Sequence, residues 1–450
     1  MKKALLLLGL VGSSLAASAQ WVSQPITFSP TTSFNLAISA VDANVVWTTV
    51  VDPGTTLPIG RQLARTTNGG TTWTVLTVSN VGAAEMITSL HALDANTAFV
   101  TVAPFLPTGA GRVLKTTDGG QTWTTATAAG QFGNGGSAPM YVRFFNANQG
   151  VVLGEQVNGA FEIYTTANGG STWTAVPAAS IPAAQSDEGL FGSGLPVISQ
   201  LGNTLWVCTT QGRVFRSTDA GQTWTVASSP FTSSNDYPQG LSFRDANNGL
   251  LITDEGDLAR TTDGGLTWTR VAYTGPLHAL GLDAVPGSRT YVSTGISNIP
   301  FGTSAGSSYS TDDGQTWTPI ESTIQHALVD FVSPTVGWSG GVHLDASGDP
   351  DGGLGMNKYN GVALATARPQ QLAVRVAPNP SADGRFRLSV PAGPAATVRV
   401  HDAVGRLVLE RQLGATPGDV SLDLSQYRAG VYTLDLRSAA GVAQQKLVIQ

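Results

Sequence analysis

The octet Thr116-Thr117-Asp118-Gly119-Gly120-Gln121-Thr122-Trp123 returns five more times, with small changes, along a chain of 450 residues. Its copies lie at 66–73, 166–173, 217–224, 261–268 and 310–317, and all six obey Ser/Thr-x-Asp/Asn-x-Gly-x-Thr-Trp. The closing tryptophans Trp73, Trp123, Trp173, Trp224, Trp268 and Trp317 stand 44 to 51 positions apart, the mark of a repeated supersecondary unit. Each octet reads as a tight turn between two strands. Its third residue (Asn68, Asp118, Asn168, Asp219, Asp263, Asp312) can accept backbone N–H groups inside the turn, and glycine supplies positive φ. Thr and Trp then open the return strand, where β-propensity is high, and the indole anchors one sheet on its neighbour.

Between the octets a second element recurs: an apolar strand, a short turn and another strand. Asp42-Ala43-Asn44, Asp94-Ala95-Asn96, Asn146-Ala147-Asn148 and Asp245-Ala246-Asn247 are the clear turns. Gly202-Asn203, Asp283-Ala284 and Ser333-Pro334-Thr335 stand at the weaker copies. Seven inner hairpins therefore accompany six octets. After the seventh, 355–361 supplies a third strand with no octet behind it. Gln20-Trp21-Val22-Ser23 has the pattern of the missing return strand, with Trp21 in the place of an octet tryptophan. Borrowing it would leave no open sheet edge.

This pattern resembles the Asp-box, or BNR, family of β-propellers. The resemblance implies that the octet joins the third and fourth strands of a blade at the periphery of one face, as scaffold. The expectation is an all-β chain whose residues 20–361 form a seven-bladed propeller, its N-terminal strand completing the last blade.

The two ends read as export segments. Lys2 and Lys3 precede an apolar run at 4–11, and Ala17-Ser18-Ala19 is a small-residue cleavage site, so 1–19 is a signal peptide cut before Gln20. The run breaks at Gly12-Ser13-Ser14, short of the roughly 18–20 apolar residues a membrane span needs. No transmembrane helix is expected downstream. Beyond a linker at 362–371, residues 372–450 run in short strands with Gly turns, which suggests a small Ig-like β-sandwich.

The tail carries Ala377-Pro378-Asn379-Pro380, then Gly384 and Phe386, then 400–406 (VHDAVGR), Gly430-Val431-Tyr432 and a terminal Lys446-Leu447-Val448-Ile449. This run resembles the type A C-terminal sorting domain of the type IX secretion system of Bacteroidetes-type bacteria. The resemblance implies the type IX translocon as a partner, passage through the periplasm, and a secreted or cell-surface destination. A generic adhesive sandwich is the alternative.

Composition narrows the rest. Charged residues make up 12% and the formal charge is −6, so there is no basic field for nucleic acid. Cys208 is the only cysteine and sits in an apolar strand pattern, so no internal disulfide staples the fold. No cofactor is implied.

For chemistry, sialidases, xyloglucan-cleaving glycosidases, sortilin-type receptors and photosystem II assembly factors share Asp-box propellers. The Arg-Ile-Pro motif of sialidases is absent, and Arg65, Arg216 and Arg260 fall just before octets, away from a central pocket. The xyloglucan enzymes use two tandem propellers where this chain has one.

Phe132, Asp187, Glu188, Phe191, Phe231, Asp236 and Tyr237 lie in loops expected on the face opposite the octets, a plausible surface for a glycan or protein. A glycoside hydrolase using acids among Asp187, Glu188, Asp236 and Glu255 is one alternative, and a structural or assembly-assisting propeller is another.

His91, His278 and His326 each open a His-Ala-Leu triplet but sit at different offsets from their turns, about 7 Å apart per step along the strand axis, too far to share one metal ion. The acidic run 345–352 resembles the start of a calcium loop without its closing Glu, Met356 standing there instead. No metal site is expected.

Overall fold

In the computed structural model, residues 20–31, 33–51, 60–105, 109–133, 137–191, 197–231, 236–297, 304–345, 350–361, 374–390, 395–402, 406–414, 418–438 and 441–450 are described. The segments expected to be a signal peptide, 1–19, and a linker, 362–371, lie outside them, as does the middle of the acidic run, 346–349. The chain divides into two compact units, residues 1–365 and 366–450. Among the described residues both are all-β, save for one 3-10 turn at Ala178–Ser180.

The first unit carries seven four-stranded antiparallel sheets among the described residues. Six are consecutive meanders whose innermost strands are Phe34–Ala40, Glu85–Ala92, Pro139–Phe144, Ile198–Leu201, Pro238–Phe243 and Gly281–Ala284. The seventh uses His326–Ser333, Val336–Leu344 and Pro350–Tyr359, then takes Trp21–Gln24 from the start of the chain as its fourth strand. Trp21 pairs with Tyr359 and Gln24 with Met356, and Asn360 N donates to Gln20 O. The third strand of this sheet begins at Pro350, earlier than the expected 355.

Strand composition follows position. Second strands such as Ala98–Pro104 and Gly249–Thr253 are apolar almost throughout and buried on both faces, because a neighbouring sheet covers each side. The fourth strands Thr124–Thr125 and Thr174–Ala175 are short and exposed, which blunts the outer edge.

The octets build one geometry six times. In the copy at 116–123, Thr116 Oγ1 accepts from Gly120 N (2.9 Å) and donates to Asp118 Oδ1 (2.8 Å). Asp118 in turn accepts from the backbone N–H of Thr122 (3.0 Å) and its hydroxyl (2.6 Å). Asn68, Asn168, Asp219, Asp263 and Asp312 make the same bond to the residue four positions on. Gly120 has φ 87°, and a Cβ there would press on Trp47 and Leu76 of the preceding sheet, so both conformation and packing require glycine.

Cations near the ends of third strands strap neighbouring sheets together. Lys115 lies over Phe99 and donates to Gly169 O, and Lys358 lies over Trp338 and donates to Gly69 O. Arg65 lies over Trp47 and donates to Ala95 O. Four octet tryptophans, Trp123, Trp224, Trp268 and Trp317, donate their indole N–H to a glycine carbonyl of their own octet. Cys208 is a buried free thiol whose pKa burial pushes up.

The second unit pairs a three-stranded sheet (Arg375–Ala377, Arg385–Ser389, Asp419–Asp423) with a four-stranded one. The latter runs in the order Leu407–Leu413, Ala396–His401, Gly430–Ser438, Gly441–Ile449. One apolar cluster joins the sheets: Phe386, Leu388 and Leu422 from the first, Val398, Leu434 and Leu447 from the second.

Candidate functional site

An innermost strand is the edge of its sheet, so one side of its backbone has no ladder partner and must find acceptors elsewhere. The first unit meets this demand with side chains at one register position. Ser39, His91, Arg143, Ser199, Ser242, Asp283 and Asp330 pair respectively with Trp47, Phe99, Val151, Trp206, Leu250, Val292 and Trp338, equivalent positions of the second strands. Five of the seven accept the N–H of the neighbouring inner strand. Ala92 N donates to Ser39 Oγ (3.0 Å), Phe243 N to Ser199 Oγ (2.9 Å) and Ala284 N to Ser242 Oγ (2.9 Å). Phe331 N donates to Asp283 Oδ2 (2.7 Å), and Ala40 N to Asp330 Oδ2 (2.8 Å), which joins the seventh sheet to the first.

All seven residues line one central cavity of about 460 Å³. Small neighbours such as Ala40, Ala92 and Ala284 keep it open. Two members break the belt's rule. His91 is no acceptor in it; its ring stacks near-parallel on Phe144. Arg143 is a donor only, and it donates from Nη1 to Ser89 Oγ (3.2 Å) and to its neighbour's carbonyl, Val142 O (2.8 Å).

Successive inner strands pack in the order seventh, first, second, third on one side and fifth, sixth, seventh on the other, with Gln200 of the fourth bonding Phe144 O of the third. Arg143, on the third, is therefore three places from both Asp283 and Asp330 and faces them across the cavity.

Burial sets the electrostatics. It raises the Asp283 carboxyl well above the ordinary range, and the neighbouring charge of Asp330 raises it further. Burial also pushes Asp330 up to about 6. It depresses His91 to about 3, helped by the Arg143 charge, so that imidazole is neutral at physiological pH. A guanidinium stays charged, and Arg143 forms no ion pair among the described residues. The site thus sets a lone cation against a carboxyl pair that holds on to a proton.

The loop residues expected to bind are dispersed into other roles. Phe132 is fully buried, in contact with Tyr164 and in a core cluster with Val113 and Val142. Phe231 is buried beneath the Arg270 guanidinium, 4.8 Å from the ring centre. Glu188, also buried, pairs with Arg213 (2.7 Å) and accepts from Thr209 Oγ1 (2.6 Å) and Gln185 N (2.8 Å). Phe191 is half-buried against the same core as Phe215. Asp236 is engaged by Arg270 at 3.3 Å. Asp187 and Tyr237 alone of this set are exposed.

Apolar loop residues thus served the core, and Glu188 and Asp236 found cationic partners instead of one another. The histidines scatter likewise: His278 bonds Ser304 O, while His326 lies between Ser339 Oγ and Glu321 Oε1. No single residue type marks the cavity positions, because their types vary from sheet to sheet. A positional signal exists, however: Ser39, His91, Arg143 and Ser242 each stand three residues before the Asp or Asn of a clear inner turn. Asp283, read as part of a turn, is instead on the strand, and the turn follows Val285.

Comparison with known proteins adds three findings. Residues 375–450 match the secretion system C-terminal sorting domain, and residues 308–319 match the BNR/Asp-box repeat. No curated protein sequence matches the chain. Among solved structures, the chain is similar to YCF48 bound to D1 peptide, with 18% identity over 77% of this chain and 98% of that one, at a TM-score of 0.52. It is also similar to YCF48 from Cyanidioschyzon merolae, with 17% identity over 76% and 99% and a TM-score of 0.51. At such identities the likeness concerns the fold: the chain carries an Asp-box repeat in a propeller-like array of four-stranded sheets and a type IX sorting domain at its C-terminus. Among the described residues no helix is long and apolar enough to cross a membrane.

Proposed function

We propose that this chain is an exported binding protein. In this reading 1–19 is a signal peptide, 20–361 a seven-bladed propeller closed by its own first strand, 362–371 a linker and 372–450 a sorting sandwich of Ig-like form. The tail takes it through the type IX translocon to the cell surface or into the medium, where the central cavity holds a polar ligand without converting it. The match of 375–450 to the sorting domain supports the export half.

The binding half is carried by Arg143, a charged group in a water-reachable cavity that makes no direct ion pair among the described residues, Asp330 acting on it only through space. A fold tolerates such a group where a ligand completes it. This moves the binding surface from the loops named above to the cavity at the inner-turn end of the strands. The hydrolase reading asks for two free carboxylates roughly 5–10 Å apart. Glu188 and Asp236 are each taken by an arginine, which favours binding over hydrolysis. Because the similar YCF48 structure is bound to D1 peptide, peptides belong beside glycans in any screen.

The test is a thermal-shift screen of the full-length protein against glycans, nucleotides, amino acids and short peptides, repeated on Arg143→Gln. A ligand that stabilises the parent and not the variant supports the cavity as the site. A ligand indifferent to the variant, or none at all, removes it.

A further inference from the structure

We propose that the central cavity takes a short zwitterion, a free amino acid or small peptide, whose carboxylate docks on Arg143 and whose ammonium docks on Asp330. The proposal rests on the cavity being the binding site and adds the chemistry of what binds there.

The spare hydrogen-bonding capacity of the cavity wall is specific. Both Asp283 oxygens are committed: Oδ2 accepts from Phe331 N, and Oδ1 from Ala284 N (2.8 Å) and Ser242 Oγ (3.2 Å). Asp330 spends only Oδ2, on Ala40 N, which leaves Oδ1 without a partner among the described residues. Among the described residues Arg143 spends only Nη1, so its Nε and Nη2 can meet a ligand. A guanidinium edge of two N–H groups fits one carboxylate in a bidentate fork. Asp330 Oδ1 accepts but cannot donate when ionised, which fits an ammonium.

Charge complementarity then selects among ligand classes. A neutral sugar gives neither charge a direct counter-ion and leaves only their mutual attraction across the cavity. A dianion meets Asp330 unfavourably, and a dication meets Arg143 unfavourably. A molecule with one charge of each sign at its two ends satisfies both walls together. Burial has already raised the carboxyl pair, so an ammonium that restores its counter-charge gains more there than in water. The cavity volume, about 460 Å³, is in the range of small-ligand sites.

Calorimetric titration of the full-length protein with L-alanine, trialanine, N-acetyl-trialanine and trialanine amide tests this directly. Saturable binding of alanine or trialanine is expected, weakened about tenfold or more by blocking either end of the peptide. Asp330→Asn should erase the penalty for N-acetylation and keep the penalty for the amide, and Arg143→Gln should do the reverse. Silence from both free probes overturns the proposal, as does equal binding of free and blocked peptides. A neutral or singly charged hit from the wider screen that is lost in Arg143→Gln would leave the cavity as a binding site and reject only the zwitterion.

Discussion

The indole N–H of Trp21 donates to Ser307 Oγ at 2.9 Å, a bond between residues 286 positions apart. It ties the first strand of the chain to the sixth sheet while that strand completes the seventh. Tyr359, Phe331 and His326 surround the same indole. Ser307 Oγ passes a hydrogen bond on to Glu321 Oε1 (3.0 Å), which also receives His326 Nε2 (2.9 Å). Burial alone would raise Glu321, but His326 and the N–H groups of Ile324 and Thr323 outweigh it and hold the carboxyl at about 2. The closing seam of the first unit is thus a polar network wrapped in aromatic rings.

Trp21→Ala should therefore lower the unfolding free energy by about 3–5 kcal/mol, the usual cost of deleting a buried aromatic side chain. Trp21→Phe keeps a ring and loses the N–H, and should cost about 1 kcal/mol or somewhat more. Denaturant unfolding of both variants checks the pair. Removal of residues 20–24 goes further: it bares the edge of Pro350–Tyr359, and light scattering should show association. A deletion variant as stable and as monomeric as the parent would show that the seam does not close the array.

Thr116→Val tests the octet. The hydroxyl is buried and satisfies Gly120 N, so an isosteric methyl leaves that N–H without an acceptor, at a cost of about 1–3 kcal/mol. Thr116→Ser should be nearly silent, since Ser217 and Ser310 do the same work in two other copies. Thermal melts of the two variants read the difference.

What could be read in the chain divides along the same physical line. The octets were legible because one turn needs a fixed acceptor, a fixed glycine and a fixed tryptophan, so Asp118, Gly120 and Trp123 recur by necessity. The borrowed strand was legible because Trp21 completes a count. The cavity was not, because the belt asks only for an acceptor at one register: Ser39, Ser242 and Asp330 answer equally well, and His91 and Arg143 depart without disturbing the fold. Phe132 and Phe231 misled for the opposite reason. They sit in segments rich in Gly and Ser that read as solvent-facing loops, yet both rings turn inward, and Phe132 does so at φ 52°.

Glu188 offers a clean division between a structural acid and a reacting one. Its carboxylate is buried against Arg213, so Glu188→Gln leaves the guanidinium without its counter-ion and should cost about 3–5 kcal/mol of stability. Asp187→Asn, one residue away and exposed, should stay within about 0.5 kcal/mol of the parent. Urea unfolding compares them. If Glu188→Gln melts like the parent and abolishes a glycan-cleaving activity instead, the hydrolase reading returns.

The carboxyl pair in the cavity is shifted in the direction opposite to Glu321. Asp330 titrates at about 6 in the fold, above its ordinary 3.8, and Asp283 is raised as well. Between those limits the folded chain binds more protons than the unfolded one, so stability falls as pH rises through the window. The other titratable groups facing the pair do not blur it: Arg143 stays charged throughout, and His91 stays neutral above about 3.

Asp330→Asn removes the ionisation and keeps an oxygen for Ala40 N. Its melting temperature should exceed the parent's by about 1–3 °C at pH 8, and the gain should shrink towards pH 4.5. Melts across that range decide the matter. A variant less stable than the parent by the same amount at every pH would mean that Asp330 is an ordinary ionised acceptor, with no strain for a ligand's ammonium to relieve.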